Sequence, residues 1–254
     1  MKTYDVCGFI GNWAFRKIHK NTMNALVEVH KKDDVAGGLV GCLESVFYND
    51  PYESDADAAK LVNAVPGYRF AMTCNPMLPG AMEDLSRGKR ELNAAAVRLY
   101  PSYHGYAPDD EEVVAFCREA GRVGLKVIVT SRMEDERIDY LLQQKVQPAM
   151  KVLELATRCP DTKFLISGAY NTEILTIAEQ VNSTPNIWVD TACFKHNLFI
   201  YDVLLEKVSA DKVVFGAGFP LYTFKSQQLN LATCRCAAEV LEKVASRNYE
   251  AFLN

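Results

Sequence analysis

Short apolar runs alternate with amphipathic stretches from one end of the chain to the other. The runs predict strands at 4–10, 38–46, 69–75, 95–100, 126–130, 163–167, 186–191 and 212–216, each followed by a segment that can be helical. Asp109-Asp110-Glu111-Glu112 precedes Val113, Val114, Phe116 and Cys117, and acids suit a helix N-terminus. Ser54-Asp55-Ala56-Asp57 is expected to open another helix in the same way, ahead of Leu61, Val62 and Val65. Strand–helix alternation implies a parallel sheet with right-handed crossovers. Eight such units in 254 residues favour a closed (β/α)8 TIM barrel of the α/β class, which takes about 250 residues, over an open doubly wound sheet. No linker, low-complexity tract or strong repeat interrupts the pattern, so residues 1–254 are read as a single domain.

Composition narrows the partners. Net charge is −4 with acids and bases mixed, and no basic stripe appears, so nucleic acid is not an expected partner. No apolar run approaches 18 residues and no signal-peptide pattern opens the chain, which implies a soluble cytoplasmic protein that does not enter membranes. The eight cysteines lie mostly inside apolar segments, as reduced buried thiols do. Cys234-x-Cys236 is the one close pair. It falls in a predicted helix, where residues i and i+2 diverge, so neither a chelate nor a disulfide is expected there. Gly8-Phe9-Ile10-Gly11 and Gly37-Gly38-Leu39-Val40-Gly41 do not match a dinucleotide fingerprint, and no phosphate loop is present.

The strand ends carry a family resemblance over nearly the whole chain. It rests on Asp5-Val6-Cys7-Gly8-Phe9-Ile10-Gly11, Gly124-Leu125-Lys126-Val127-Ile128-Val129-Thr130, Lys163-Phe164-Leu165-Ile166-Ser167-Gly168 and Val213-Val214-Phe215-Gly216-Ala217-Gly218-Phe219-Pro220, with a closing Arg247-Asn248-Tyr249-Glu250-Ala251-Phe252-Leu253. These segments resemble the amidohydrolase-related (amidohydrolase-2) superfamily of barrel hydrolases and decarboxylases. In its metal-bearing members the first strand reads Asp-x-His-x-His, strands five and six end in His, and strand eight carries Gly-Ser-Asp-x-Pro. The resemblance puts Cys7, Phe9, Thr130, Gly168 and Gly218 at those ligand positions. A catalytic zinc takes about three protein ligands, which Cys7 and Thr130 do not supply, so neither a metal nor another cofactor is expected. The chain is more similar to an uncharacterised branch that lacks these histidines. The signatures of that branch stand here as Gly11-Asn12-Trp13-Ala14-Phe15-Arg16, Leu43-Glu44-Ser45-Val46-Phe47-Tyr48-Asn49-Asp50, Cys74-Asn75-Pro76-Met77-Leu78-Pro79-Gly80, Val97-Arg98-Leu99-Tyr100-Pro101-Ser102-Tyr103-His104-Gly105-Tyr106 and Met133-Glu134-Asp135-Glu136-Arg137.

All five signatures follow a predicted strand, and in this barrel strand ends build the active face. Arg98 and Tyr100 share strand parity and should point inward, with Val97 and Leu99 facing the helices. An inward arginine is an anion anchor or half of a buried pair with Glu44 or another strand carboxylate. His104 is the general acid–base candidate, in a segment where Pro101 and Gly105 predict a shaped loop rather than a helix; a neutral, hydrogen-bonded loop histidine is the alternative. Among the other histidines, His30 falls in the first helix and His19 and His196 in charged stretches. Arg132 shares parity with Thr130 and is expected to project into the former metal site, replacing the cation's charge. Glu134 would be its partner or a base, while Asp135 and Glu136 suit the start of a helix. Glu44 and Asp190 are carboxylate bases or charge partners. Asn12, Asn75, Tyr48 and Tyr170 offer hydrogen bonds, and Trp13 and Phe15 wall a pocket or fill a core. Cys7 is a nucleophile if Arg132 or His104 lowers its pKa, and an inert core thiol otherwise.

Two functions are compatible with this pattern. One is a metal-independent hydrolase, lactonase-like, or a lyase acting on a small anionic carbonyl compound. The catalytic set would be His104, Arg132, Glu44 and Glu134, and the binding set Asn12, Arg98, Tyr100, Asn75, Asp190 and Tyr170. The other is a non-catalytic binding or regulatory barrel that has kept its pocket. Assembly into a homo-oligomer fits either.

Overall fold

The computed structural model describes residues 1–135, 145–194 and 199–254. Glu136, Arg137 and His196 lie outside the described residues. The eight expected strands are present as β1 (Thr3–Ile10), β2 (Val35–Cys42), β3 (Tyr68–Thr73), β4 (Ala94–Leu99), β5 (Lys126–Thr130), β6 (Phe164–Ser167), β7 (Ile187–Asp190) and β8 (Val213–Val214). They pair in sequence order and in parallel, the arrangement that strand–helix alternation dictates. β8 meets β1 through Val6 N–H to Phe215 O at 3.0 Å and Gly218 N–H to Cys7 O at 2.9 Å. Side chains complete this seam: Asp5 Oδ1 accepts from Cys7 N at 2.8 Å and from Ala217 N at 3.0 Å. The result is a TIM barrel in a single domain.

Period two divides the core. Leu39, Ala71, Ala96, Ile128, Leu165 and Val214 fill the barrel, while Val40, Phe70, Val97, Val127, Ile166 and Val189 face the helices. Every strand thus buries both faces, and its polar exceptions at the C-terminal end stand out against that background. Within the first helix (Met23–Lys31), as expected, His30 is buried with Nε2 3.3 Å from Asp5 Oδ2 and Nδ1 3.0 Å from the Tyr68 hydroxyl. His19 is exposed. No helix among the described residues is long and apolar enough to cross a membrane.

Four local expectations are corrected. The second strand stops at Cys42 rather than 46, and Glu44–Phe47 forms a 3-10 turn. Asp55 holds that turn, accepting from Ser45 Oγ at 2.5 Å and Thr73 N at 2.5 Å. Asp55 is itself buried inside a helix that opens earlier than expected, at Pro51, with Asp50 accepting from Tyr52 N at 3.0 Å. The Pro101–His104 segment is one α-helical turn rather than a loop, because proline at the first helical position costs no hydrogen bond. Cys234-x-Cys236 is not helical. It lies between the helices Phe224–Ala232 and Ala238–Glu242, where Asp202 captures the Arg235 N–H at 2.8 Å.

Candidate functional site

Arg98 projects into the barrel from β4 and is fully buried. Its Nη1 donates to Thr130 Oγ1 at 3.2 Å, Ser167 Oγ at 3.0 Å and Cys7 Sγ at 3.7 Å, and its Nη2 donates to Val6 O at 3.2 Å. The guanidinium also lies 4.9 Å from the centre of the Phe9 ring, a cation–π distance. None of these hydrogen bonds goes to a carboxylate, so the expected pairing with Glu44 is corrected. Glu44 Oε1 instead accepts from Asn12 N at 2.8 Å and from the Asn12 amide, and Asn21 donates to Asn12 Oδ1 at 2.8 Å.

Asp190, at the end of β7, stands beside this cluster. Its Oδ1 accepts from Gly168 N at 3.2 Å and Ala192 N at 3.1 Å, and its Oδ2 is buried without a hydrogen bond. Burial raises its pKa, against the pull of the Ser167 hydroxyl, Arg98 and the two N–H groups. Burial likewise pushes the Cys7 thiol well up, and Arg98 only partly offsets that. Cys7 is therefore a neutral thiol next to the cation, not an activated thiolate.

Above the cluster a cavity is lined in part by Cys7, Phe9, Thr130, Arg132, Ser167 and Tyr222. It leaves about 10 Å³ for solvent, room for about one water. Arg132 lies on its wall, but Glu134 is not its hydrogen-bonding partner. Arg132 Nη1 and Nη2 grip Glu173 at 2.6 and 2.9 Å, Nη1 also donates to Gly168 O at 3.1 Å, and the guanidinium stacks 3.9 Å from the Tyr170 ring centre. Burial works to raise the Glu173 pKa, yet the bonds from Arg132 and from Tyr170 N–H bring it below the ordinary value. Glu134 is buried and pairs through Oε1 with Arg16 Nε at 2.6 Å, while Arg16 Nη2 donates to Leu221 O at 2.8 Å. That pair closes over Leu221, another residue of the cavity lining.

Of the remaining candidates, only Tyr100 lies beside the Arg98 cluster. His104 Nε2 donates to Val46 O at 2.8 Å, leaving Nδ1 buried and unpaired, and burial lowers its pKa. Tyr100 is fully buried in the inner core beside Arg98. Asn75 caps its own turn, accepting from Met77 N at 3.1 Å. Tyr48 is exposed. Trp13, Phe15, Phe47 and Tyr103 form one aromatic cluster with ring centres 5.2–5.7 Å apart, and none of the four lines the cavity.

The five positions that match the family's metal ligands offer little to a divalent cation. Gly168 and Gly218 have φ of +70° and +66°, and a Cβ would come 2.4 Å from Arg132 O at the first and 2.7 Å from the Tyr222 ring at the second. Both backbones suit glycine and leave no space for a ligating side chain. Phe9 has no donor, and the Cys7 and Thr130 donors are spent on the Arg98 guanidinium. This donor set does not fit a catalytic metal. Sequence reasoning missed Ser167, which joins Arg98 to Cys7, and Glu173, which neutralises Arg132. Ser167 was accessible from parity with Leu165 on β6; Glu173 sits 41 residues from its partner and carries no such signal.

The fold and its strand-end chemistry define a (β/α)8 barrel whose mouth is built around a fixed arginine. A family model described as amidohydrolase (Amidohydro_2) matches residues 25–254, and the chain belongs to that family. Among solved structures, a 2,6-dihydroxybenzoate decarboxylase from Rhizobium is similar at 11% identity and TM-score 0.75, covering 99% of this chain and 98% of that one. A dihydroxybenzoic acid decarboxylase from Polaromonas, with bound manganese and 2-nitroresorcinol, is similar at 11% identity and TM-score 0.77, covering 99% and 96%. An uncharacterised TIM-barrel protein from Bordetella bronchiseptica reaches 15% identity and TM-score 0.71, covering 100% and 98%. At these identities the likeness shows the fold alone. A comparison with curated proteins finds no match.

Proposed function

We propose that the barrel mouth takes a small anionic carbonyl compound and converts it without a metal, as a lactonase-like hydrolase or a lyase. The observation that carries this reading is the Arg98 guanidinium, hydrogen-bonded to no carboxylate, set among Cys7, Thr130 and Ser167 beside an Asp190 carboxyl whose pKa is raised. A fixed cation in a site shut off from water stabilises negative charge as it develops on a carbonyl oxygen. A buried carboxyl with a raised pKa holds and returns a proton more readily than an ordinary carboxylate. His104 and Glu44 are engaged by Val46 and Asn12, so the proton transfer is assigned to Asp190, which stands beside Arg98 and Ser167 under the cavity floor. Arg132 forms part of the cavity wall, with its guanidinium stacked on Tyr170. Dihydroxybenzoates, on which two of the similar barrels act, are small aromatic carboxylates and support the substrate class. Entry requires Tyr222, Leu221 or Met133 to swing aside, since the cavity holds about one water.

The test uses chelator-treated protein with a panel of lactones and hydroxybenzoates. Turnover should survive chelation, and Asp190→Asn should lower kcat about 100-fold or more. Turnover that appears only with added divalent metal, or an unchanged kcat in Asp190→Asn, rejects the reading. The small cavity also favours a second one, a barrel that binds such an anion without converting it. A compound that raises Tm and is recovered intact from prolonged incubation identifies that case.

A further inference from the structure

On the outer wall, Asp202, Cys234 and Cys236 bring three ligand atoms within 4.8 Å of one another. Asp202 lies in the helix Ile200–Leu205, and both cysteines lie in the loop that follows the helix Phe224–Ala232. The distance from Cys234 Sγ to Asp202 Oδ1 is 3.1 Å, and from Cys236 Sγ to the same oxygen 4.0 Å. These separations fall on either side of the donor spacing of a tetrahedral site. Zinc–sulfur bonds of about 2.3 Å and zinc–oxygen bonds of about 2.0–2.2 Å, set tetrahedrally, separate their donors by roughly 3.5–3.8 Å. We propose that Cys234, Cys236 and Asp202 form a binding site for a soft divalent cation of the zinc type, with a fourth position open to water or an exogenous ligand.

Three features support the assignment. Thiolates select zinc-type cations over calcium or magnesium, and a carboxylate is a compatible third ligand. Both thiols are free, and Cys236 and Asp202 are partly exposed, so an ion can enter from solvent. The charges also match: two thiolates and one carboxylate, offset by the Arg235 guanidinium whose Nε lies 3.2 Å from Asp202 Oδ2, leave the deficit that one divalent ion fills. Arg235 N–H also donates to Asp202 Oδ1 at 2.8 Å, which holds that oxygen near both sulfurs. Binding exchanges the two thiol protons, and with them the Cys234–Asp202 hydrogen bond, for two metal–sulfur bonds and one metal–carboxylate bond, with no change of oxidation state.

The full-length protein, reduced and stripped with chelator, is titrated with Co²⁺ and then with Zn²⁺. One equivalent of cobalt should produce thiolate-to-cobalt charge-transfer absorption that zinc abolishes. Cys234→Ser and Cys236→Ser should each lose that absorption, and Asp202→Asn should weaken zinc binding about tenfold or more, since even groups behind the ligands contribute that much. Circular dichroism and Tm of the metal-free variants confirm that each is folded. Absence of the absorption in wild-type protein whose thiols titrate as reduced overturns the proposal. So does its persistence in the Cys234→Ser/Cys236→Ser double variant, which places the metal on other cysteines.

Discussion

The barrel mouth and the outer wall each gather a cysteine with oxygen donors, but they fill the space between the donors differently. Inside, Cys7, Thr130 and Ser167 converge on Arg98, a cation the chain carries itself. Outside, Cys234, Cys236 and Asp202 converge on one another, with Arg235 holding only the carboxylate. The two carboxyls that accompany these clusters are tuned in opposite senses. Burial raises the pKa of Asp190, while the hydrogen bonds from Cys234 and Arg235 lower that of Asp202. The lesson is that donor identity does not make a metal site. What decides is whether the positive charge is already covalently present.

The contrast breaks most visibly at Arg98. Arg98→Ala removes a fully buried cation and strands the Thr130, Ser167 and Val6 acceptors, and should cost about 3–5 kcal/mol in urea unfolding. A loss below about 1 kcal/mol would mean that the inner donors do not depend on the guanidinium. Glu173→Ala leaves the buried Arg132 guanidinium without its bidentate partner and should cost about 2–3 kcal/mol, less than Arg98→Ala because Glu173 is a third exposed.

The opposite tuning of the carboxyls predicts opposite pH dependence. Because the native Asp190 pKa is raised, the folded state binds more protons than the unfolded state from the ordinary carboxylate value upward to the native one. Its contribution to stability therefore falls as pH rises through that window, and Asp190→Asn should remove the decline. The native Asp202 pKa is lowered, so its contribution is present above the ordinary value and lost as pH falls below it. In metal-free protein Asp202→Asn should flatten that acid limb. Denaturant midpoints across pH 3–8, on the order of one point per pH unit, decide both signs. The smallest effect is expected for Cys236→Ser in metal-free protein, within about 0.5 kcal/mol, because the loop thiol is partly exposed and serine nearly matches it in size.

The barrel was legible in the sequence because each strand buries both faces and helices such as Ala81–Glu91, Glu111–Arg122 and Ala149–Arg158 are amphipathic, so the apolar runs recur at regular spacing. Where the reading slipped, a side chain from elsewhere intervened. Asp55 turns the chain after β2, and Asp202 ends the helix before Cys234, and neither contact is local. The inward direction of Arg98 followed from parity alone. Its surroundings did not, since a serine at a strand end such as Ser167 looks like any other small polar residue. Arg132 and Glu134 were expected to pair as near neighbours, but both lie past the end of β5, where Arg132 meets Glu173 and Glu134 meets Arg16.

Asp5 Oδ1 accepts N–H groups from Cys7 and from Ala217, two ends of the chain 212 residues apart in the second case. This makes closure of the barrel a matter of timing. At about 5–20 residues per second, roughly 10–40 s of synthesis separate the first strand from the segment that completes its free edge. A nascent chain stalled before residue 217 presents β1 with an open flank, the kind of surface on which growing chains aggregate or recruit chaperones.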